Sequence, residues 1–369
     1  MRIANRFLLN FAASYSEGGY RRLRAYASWF NRNGGAWFAI HPRCGNLITE
    51  FPHNQFFIVQ RSHLARLYDD WGYLASIGTA IGRPEVYYAY GIPLYQRFGQ
   101  LNWFHLSNVL PLGTRAIPLS TLDRLKFKVL GHRIRRGFAL ADVISAESQH
   151  SLELIGTPAR ARLFLSVNGS DDELAYSSQP QSAPKDNVAT VLGTYRYKAL
   201  NDSWRVFQKL KADDSALQLM IIGNAREVPA HLRRWSDVIV CGTLERAEVL
   251  ACLRRSRFYI STSYVENRSN SVSEGTFHAD ESYVSDIPSN RELLPGSTFD
   301  RVYIAGVNRP LLHVRRSELS TAGLCTWDAV VSEWRTAALR ALYGLQAARS
   351  SDSADNLLGR RQPLDPRMS

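Results

Sequence analysis

The sequence predicts an α/β protein made of two doubly wound, parallel-sheet domains. Three observations carry this reading. The chain has 369 residues, more than one hydrophobic core commonly serves. Short β-branched and aromatic runs alternate with helical periodicity in both halves, as in successive βαβ units. A Ser/Pro/Gln-rich stretch without periodicity, Ser177 to Asp186, separates the halves and reads as a linker.

Composition narrows the class. With 45% hydrophobic and 21% charged residues the chain is globular. It contains no apolar run long enough for a transmembrane helix. The start, MRIANRFLLNFAAS, resembles a weak signal peptide. It reads better as a first strand, because a glycine pair and a helical pattern follow at once. Cys44, Cys241, Cys252 and Cys325 are scattered, with neither metal-ligand spacing nor a disulfide framework. That pattern fits a reducing, cytoplasmic setting. The net charge of +12 calls for an anionic partner: a nucleotide, a membrane surface or nucleic acid. No zinc spacing, helix-turn-helix cue or aromatic RNA motif supports nucleic acid.

The first half, residues 1–176, opens with a strand over Ile3 to Phe11 and a loop ending in Gly18-Gly19. A basic helix over Tyr20 to Asn31 follows. A glycine pair between first strand and first helix lets a ligand approach the backbone closely. Strands follow at Ala36 to Ile40 and Gln55 to Val59, then a helix over Ser62 to Ala75 and a strand over Val86 to Tyr90. Leu101 to Leu110 begins as a strand and ends in a polar cluster. It places His105 at the carboxyl edge, where open α/β sheets bind ligands; a hydrogen-bonded structural histidine is the competing reading. Residues 122–140 form a basic amphipathic helix, suited either to an anionic membrane surface or to packing with a solvated charged face. Ala141 to Ala146 and Leu163 to Val167 close the half as strands, the second followed by an Asn168-Gly169 turn.

The second half, residues 187–325, starts with a strand at Val188 to Leu192 and the loop Gly193-Thr-Tyr-Arg196-Tyr-Lys198. Two cations at a strand's carboxyl edge suit a diphosphate. A helix spans Asn201 to Leu210. Strands at Leu217 to Ile222 and Val238 to Cys241 are closed by Gly223 and Gly242, and Arg246 to Arg255 is a helix. Phe258 to Thr262 is a buried strand. The loop after it carries Glu266, and a helix starts among Ser269, Asn270, Ser271 and Ser273. Glu274 then falls near its first turn. A helix N-terminus suits a phosphate, and flanking carboxylates suit sugar hydroxyls. Val302 to Ala305 is a candidate strand. Trp327 to Leu345 is an amphipathic helix, and 346–369 is a polar tail expected to be disordered.

Taken in order, these pieces resemble the retaining glycosyltransferases of the GT-B fold, glycosyltransferase family 4 in particular. Glu266-x7-Glu274 resembles the paired-glutamate motif, and Asp286-Ile-Pro-Ser-Asn-Arg-Glu292-Leu-Leu the segment after it. Gly193 to Lys198 resembles the phosphate loop, and Val167-Asn168-Gly169 the segment before the linker. The strands at 217–223 and 238–242 also match. Coverage is good over 188–294 and thin before residue 141. Two features depart from the pattern. Gly275-Thr-Phe-His-Ala-Asp-Glu-Ser282 replaces the usual small-residue segment, and Arg196 and Lys198 lie closer together than usual.

The resemblance implies two Rossmann-like domains facing across a cleft, with the 326–345 helix crossing back to the first. It implies a catalytic set of Glu266, His105, Arg196 and Lys198. Glu274 would bind the ribose and Glu266 the donor sugar. Asn267, Arg268, Ser269, Asn270 and Ser271 would offer backbone N–H groups, Gly242 would line the nucleotide side, and Gly18 and Gly19 would admit the diphosphate. Arg196 and Lys198 would neutralise the leaving group. No metal and no cofactor are implied beyond a GDP- or UDP-linked sugar. The implied activity is transfer of a hexose, mannose or a deoxyhexose, to a glycan or lipid-linked acceptor in bacterial lipopolysaccharide or polysaccharide synthesis. The alternatives are an inactive binding protein of this fold and a nucleotide-sugar epimerase.

Overall fold

The computed structural model describes residues 7–15, 17–60, 71–113, 117–158, 160–179 and 185–358. The chain alternates strands and helices into two seven-stranded sheets. In the first, β1 (Phe7–Phe11), β2 (Trp37–Ile40), β3 (Gln55–Ile58), β4 (Val86–Tyr90), β5 (Leu101–Leu106), β6 (Val143–Ala146) and β7 (Arg162–Leu165) lie in the order β3-β2-β1-β4-β5-β6-β7. All its pairings are parallel. The strand order reverses beside β1, which creates a crevice at the carboxyl ends of β1 and β4.

Continuous burial of the central strands explains why they read as apolar runs rather than alternating ones. Phe7, Leu9 and Phe11 pack on one face, against Leu23, Tyr26 and Phe30 of α1 (Glu17–Arg32). Leu8 packs on the other face, in a cluster with Leu74 and Ile77 of α3 (Trp71–Ile81) and Ile134 and Phe138 of α4 (Thr121–Phe138). A short helix, α2 (Leu47–Glu50), lies between β2 and β3. The helix expected over Ser62 to Ala75 lies mostly outside the described residues; α3 continues to Ile81. Besides α2, two helices of this half went unread in the sequence. α5 (Gln149–Ile155) follows β6, and α6 (Asp171–Ser177) follows β7. Both are seven-residue helices, too short to show a periodicity.

The second sheet has the order β10-β9-β8-β11-β12-β14-β13. Its strands are β8 (Asp186–Leu192), β9 (Gln218–Ile222), β10 (Val238–Gly242), β11 (Ser256–Ser261), β12 (Glu281–Ser285), β13 (Asp300–Val302) and β14 (Leu311–Arg315). Five strands run parallel, while β14 pairs antiparallel with β12 and β13. β12 and β14 are additions to the expected set, and β13 ends where Val302 to Ala305 was expected to begin. Helix α7 (Leu200–Asp213) covers one face through Trp204 and Phe207. The other face packs against Leu253 of α8 (Arg246–Arg255) and Val272 and Phe277 of α9 (Asn270–His278).

The unusual 275–282 segment is now placed. It is the end of α9, a short connection and the start of β12. At Gly275 a Cβ would lie 2.3 Å from the Tyr259 ring. The helix therefore presses its backbone onto β11, and any side chain there must push the two apart. Gly275→Ala is expected to destabilise by about 1–3 kcal/mol, as overpacked core positions do; a urea midpoint equal to wild type would refute the close contact.

The last helix, α11 (Trp327–Leu358), returns to the first domain. Val331, Trp334, Ala338 and Leu342 enter the core on the α1 face, with Trp334 packed between Phe7, Tyr26, Tyr88 and Trp103. The helix runs through 346–358, so this part of the tail is helical rather than disordered as expected. Among the described residues no helix is long and apolar enough to cross a membrane.

Candidate donor site at the facing sheet edges

The site is built from the strand–loop–helix junction between β11 and α9. The strand ends at Ser261, and the loop after it carries Glu266. Ser269 caps α9, its hydroxyl accepting from the Val272 N–H at 3.3 Å. The cap fixes where the helix begins, so the first-turn N–H groups and the positive end of the helix face the loop. Ser271 sits there. Lys198 reaches it from the loop after β8, donating to Ser271 Oγ at 2.9 Å and to Glu266 Oε1 at 2.7 Å. Lys198 and Glu266 are nearly enclosed, with side chains 8% and 10% exposed. This pairing matters chemically. Lys198 holds a mobile positive charge at a helix N-terminus, and an anionic ligand can compete with Glu266 for it.

Glu274 lies on the same helix, one turn further in. Its Oε1 accepts from Arg21 Nη1 and from Arg246 Nη1, both at 2.5 Å. Arg21 belongs to α1 of the facing domain, so this contact spans the two sheets. Arg246 also binds Asp172 of α6. Asp172 is held below the usual carboxylate range: its burial works against the charge, but the Arg246 and Arg21 guanidiniums outweigh it. Neighbouring Glu173 is 1% exposed, and its Oε2 has no hydrogen-bond partner. Burial pushes its carboxyl up to about 7 from the usual 4.5.

Glu173 gives a pH prediction with a definite sign. Its folded pKa is raised, so the native state binds the extra proton between pH 4.5 and 7. Stability then falls as pH rises through that window. Glu173→Gln removes the effect. The variant is expected to exceed wild type at pH 8 by up to about 3 kcal/mol. At pH 4 the two should converge. Equal melting points at pH 8 would show that Glu173 carries its charge without cost.

The glycine pair meets this junction from the other side. A Cβ on Gly18 would come within 2.6 Å of Asn270 Nδ2. Gly18 is therefore in contact distance of α9, and Gly19 packs against Ser14. Further bonds close the same seam. Asn267 Nδ2 donates to the Leu106 carbonyl at 2.9 Å, at the end of β5. Asn168 Nδ2 donates to the Arg268 carbonyl at 3.4 Å, and within the second domain Arg268 is held by the Gly323 carbonyl, to which it donates. Glu292 of α10 (Pro288–Leu293) caps α5 of the first domain, accepting from the N–H groups of Gln149 at 2.6 Å and His150 at 2.7 Å. Val265 itself packs into the first domain's core.

Three expected positions lie apart from this junction. Arg196 points outward, with its side chain 68% exposed and Asp123 Oδ2 at 4.0 Å. Gly242 ends β10 with φ 73° and open space around its Cβ position. His105 is fully buried within the first domain. Its Nδ1 lies 2.8 Å from Ser145 Oγ, its ring stacks on Tyr90, and Nε2 lies 3.5 Å from Glu147 Oε1. Burial, with Arg22 nearby, holds it well below the usual histidine range, so it is neutral. Its burial and Nδ1 contact fit the structural-histidine reading weighed in the sequence, while its Nε2 has no hydrogen-bond partner.

Arg22 is the residue that sequence inspection passed over. It has 0% exposure and sits at the centre of a polar cluster beneath the junction. It donates to Ser166 Oγ at 3.1 Å, to the carbonyls of Ser166 at 2.8 Å and Val167 at 2.7 Å, and to Asn168 Oδ1 at 3.2 Å. Its guanidinium lies against the rings of Tyr26, Tyr90 and Trp327. Burial opposes its charge, yet the surrounding Tyr88, Tyr26 and Glu147 oxygens outweigh this and hold it above the ordinary arginine value. Arg21, Arg246 and Asp172 were missed for the same reason: each is an ordinary surface-type residue until the fold brings them onto Glu274. Among the described residues no group of three or more His, Cys, Asp or Glu side chains is arranged to hold a metal ion.

Comparison with known proteins gives fold-level matches. No family model and no curated protein sequence matches the chain. Among solved structures, the sucrose-phosphate synthase (tll1590) from Thermosynechococcus elongatus superposes with a TM-score of 0.58 at 14% identity, over 95% of this chain and 100% of that one. The Anabaena protein Alr3699/HepE in complex with UDP-glucose gives 0.55 at 12% identity, over 94% and 99%. The trehalose 6-phosphate synthase from Burkholderia multivorans gives 0.55 at 11%, over 93% and 99%. The two facing α/β sheets of this chain are a GT-B fold across nearly its whole length.

Proposed function

We propose that this protein is a glycosyltransferase that transfers a sugar from a nucleotide diphosphate donor. One observation carries the reading: Lys198, Glu266 and Ser271 converge at the N-terminus of α9, and Gly18 and Arg21 of the opposite domain meet the same helix. A diphosphate there would take Lys198 and the helix N–H groups, freeing Glu266 to accept from sugar hydroxyls. Charge that builds on the leaving phosphate would meet a cation and a helix dipole already in place. The likeness in fold to a protein bound to UDP-glucose supports this choice of ligand.

The finer reading is a retaining hexosyltransferase of family 4 type, without a protein nucleophile, working on a GDP- or UDP-linked mannose or deoxyhexose and needing no metal or cofactor. The acceptor is a glycan or glycolipid of bacterial envelope synthesis, met at the cytoplasmic membrane surface. Helix α4 supports the surface contact, since Leu122, Leu125 and Val129 are 76%, 60% and 42% exposed among Arg124, Lys126, Lys128 and Arg136. Exposed leucines ringed by cations suit an anionic bilayer. The four free thiols fit a reducing compartment.

The test is a thermal-shift screen against UDP, GDP and their sugars, followed by nucleotide release from any ligand that binds. A nucleoside diphosphate is expected to raise the midpoint by mass action. No shift with any of them would refute the donor site. A shift without turnover, across a panel of acceptors, would favour the binding-protein alternative; the engagement of Glu274 by two arginines is the observation that keeps it in view. For the surface contact, Leu122→Ser with Leu125→Ser is expected to reduce sedimentation with anionic vesicles several-fold, while unchanged sedimentation would remove α4 from the account.

A further inference from the structure

A second basic centre lies at the far end of α9, away from Ser271. Phe277 is six positions further along, roughly 9 Å in an α-helix, and it lines a cavity of about 440 Å³ with Arg316, Ser177, Gln179, Ser317 and Thr321. The ring of Tyr176 stands beside it as a platform. His278 stacks on that ring at 4.6 Å with an interplanar angle of 16°. The Arg316 guanidinium lies 4.0 Å from the ring centroid and that of Arg254 lies 5.1 Å from it. Among the described residues, neither arginine has a carboxylate within ion-pair distance. Arg316 spends one N–H on the Tyr176 carbonyl at 3.2 Å, which leaves the rest of its fork free. His278 is fully buried and both its ring nitrogens lack a partner. Burial and the adjacent arginines hold it near 3, so it adds no charge.

We infer that this cavity is a binding site for a compact phosphate-bearing small molecule, distinct from the donor cleft. Arg316 lines the cavity and shares one aromatic platform with Arg254 beside it, which orders both before a ligand arrives. The nearby Ser317, Thr321 and Gln179 side chains supply neutral donors for the remaining oxygens of a phosphate. Guanidinium forks bind phosphate oxygens in pairs, and the hydroxyls complete the shell. The cavity also abuts Ser177 and Gln179, where the first half of the chain passes into the second, and it shares α9 with the donor junction.

The probe is inorganic phosphate, titrated by calorimetry into the full chain in chloride buffer of fixed ionic strength. Wild type and the double variant Lys198→Met with Glu266→Gln, which leaves no stranded charge, are expected to bind it alike. Arg316→Gln is expected to weaken binding by roughly tenfold or more, the worth of a hydrogen-bonded charge, and Arg254→Gln by a smaller factor. Arg254 is exposed, so its variant keeps the fold and decides the matter should Arg316→Gln unfold in chloride alone. Absence of millimolar binding to wild type would overturn the site. So would wild-type affinity in both arginine variants. Loss of binding in that double variant, with both arginine variants still binding, would place the phosphate in the donor cleft instead.

Discussion

Lys198→Met is expected to lower donor-dependent turnover by about 10²–10³ and also to destabilise the fold. The two effects have different causes and can be separated. Lys198 is the cation that meets Glu266 at 2.7 Å and Ser271 at 2.9 Å. Loss of a preorganised charge at a developing anion costs about 10²–10³ in kcat. The same change strands Glu266 in an enclosed position, with a penalty of about 3–5 kcal/mol. The double variant Lys198→Met with Glu266→Gln removes the stranded charge. It is expected to recover most of the stability and none of the turnover. Recovery of both, or normal nucleotide binding in either variant, would show that the pair is structural and that the donor lies elsewhere.

Arg22→Met is expected to be the most destabilising single change in the first domain, by about 3–5 kcal/mol, as removal of one partner from a buried charge network usually is. The guanidinium has 0% exposure and satisfies two carbonyls and two side-chain oxygens in segment 166–168. Methionine fills much of the volume but leaves those oxygens unpaired in a dry interior. It also leaves Glu147 without its principal cation; burial already raises that carboxyl, and Arg22 works against the rise. Arg22→Lys is expected to recover only part, since an ammonium cannot span four acceptors. Urea denaturation gives the answer directly. A loss below about 1 kcal/mol for Arg22→Met would mean that water replaces the guanidinium without cost.

Much of the architecture was legible in the residues because its strands are buried on both faces. VYYAY and LNWFHL read as strands from apolar continuity alone, and their bounds changed little. The edge of the second sheet was not legible. LLHVR alternates only weakly, and ESYVS follows the end of α9 so closely that its start read as part of the 275–282 segment. Their strand identity comes from pairing with each other, a tertiary effect that local propensity does not encode. The donor junction was half legible. Glu266, Glu274 and Lys198 stood out by spacing and by resemblance. Their partners did not, because Arg21, Asp172 and Arg246 are separated by up to hundreds of positions and acquire meaning only as a group. His105 shows the converse: its position at a strand end suggested a ligand, and its neighbours turned it inward.

The return of α11 to the first domain has a mechanical consequence. The chain passes between the domains twice, once ahead of β8 and once ahead of Trp327. The Ser170 N–H donates to the Cys325 carbonyl at 2.8 Å, and the Trp327 N–H to Asp171 at 3.0 Å, so the start of α6, the last element before the first passage, lies beside the second. At Gly169 a Cβ would sit 2.4 Å from the Trp327 ring, a contact only glycine permits. Two adjacent tethers act like the two screws of a door hinge. Such a pair would favour rotation about one local axis over sliding. Under such a constraint displacement grows with distance from the axis, so the ion pairs across the seam do not part together. Those nearest the hinge stretch least, and the outermost ones set how far the jaws must swing before a ligand can pass.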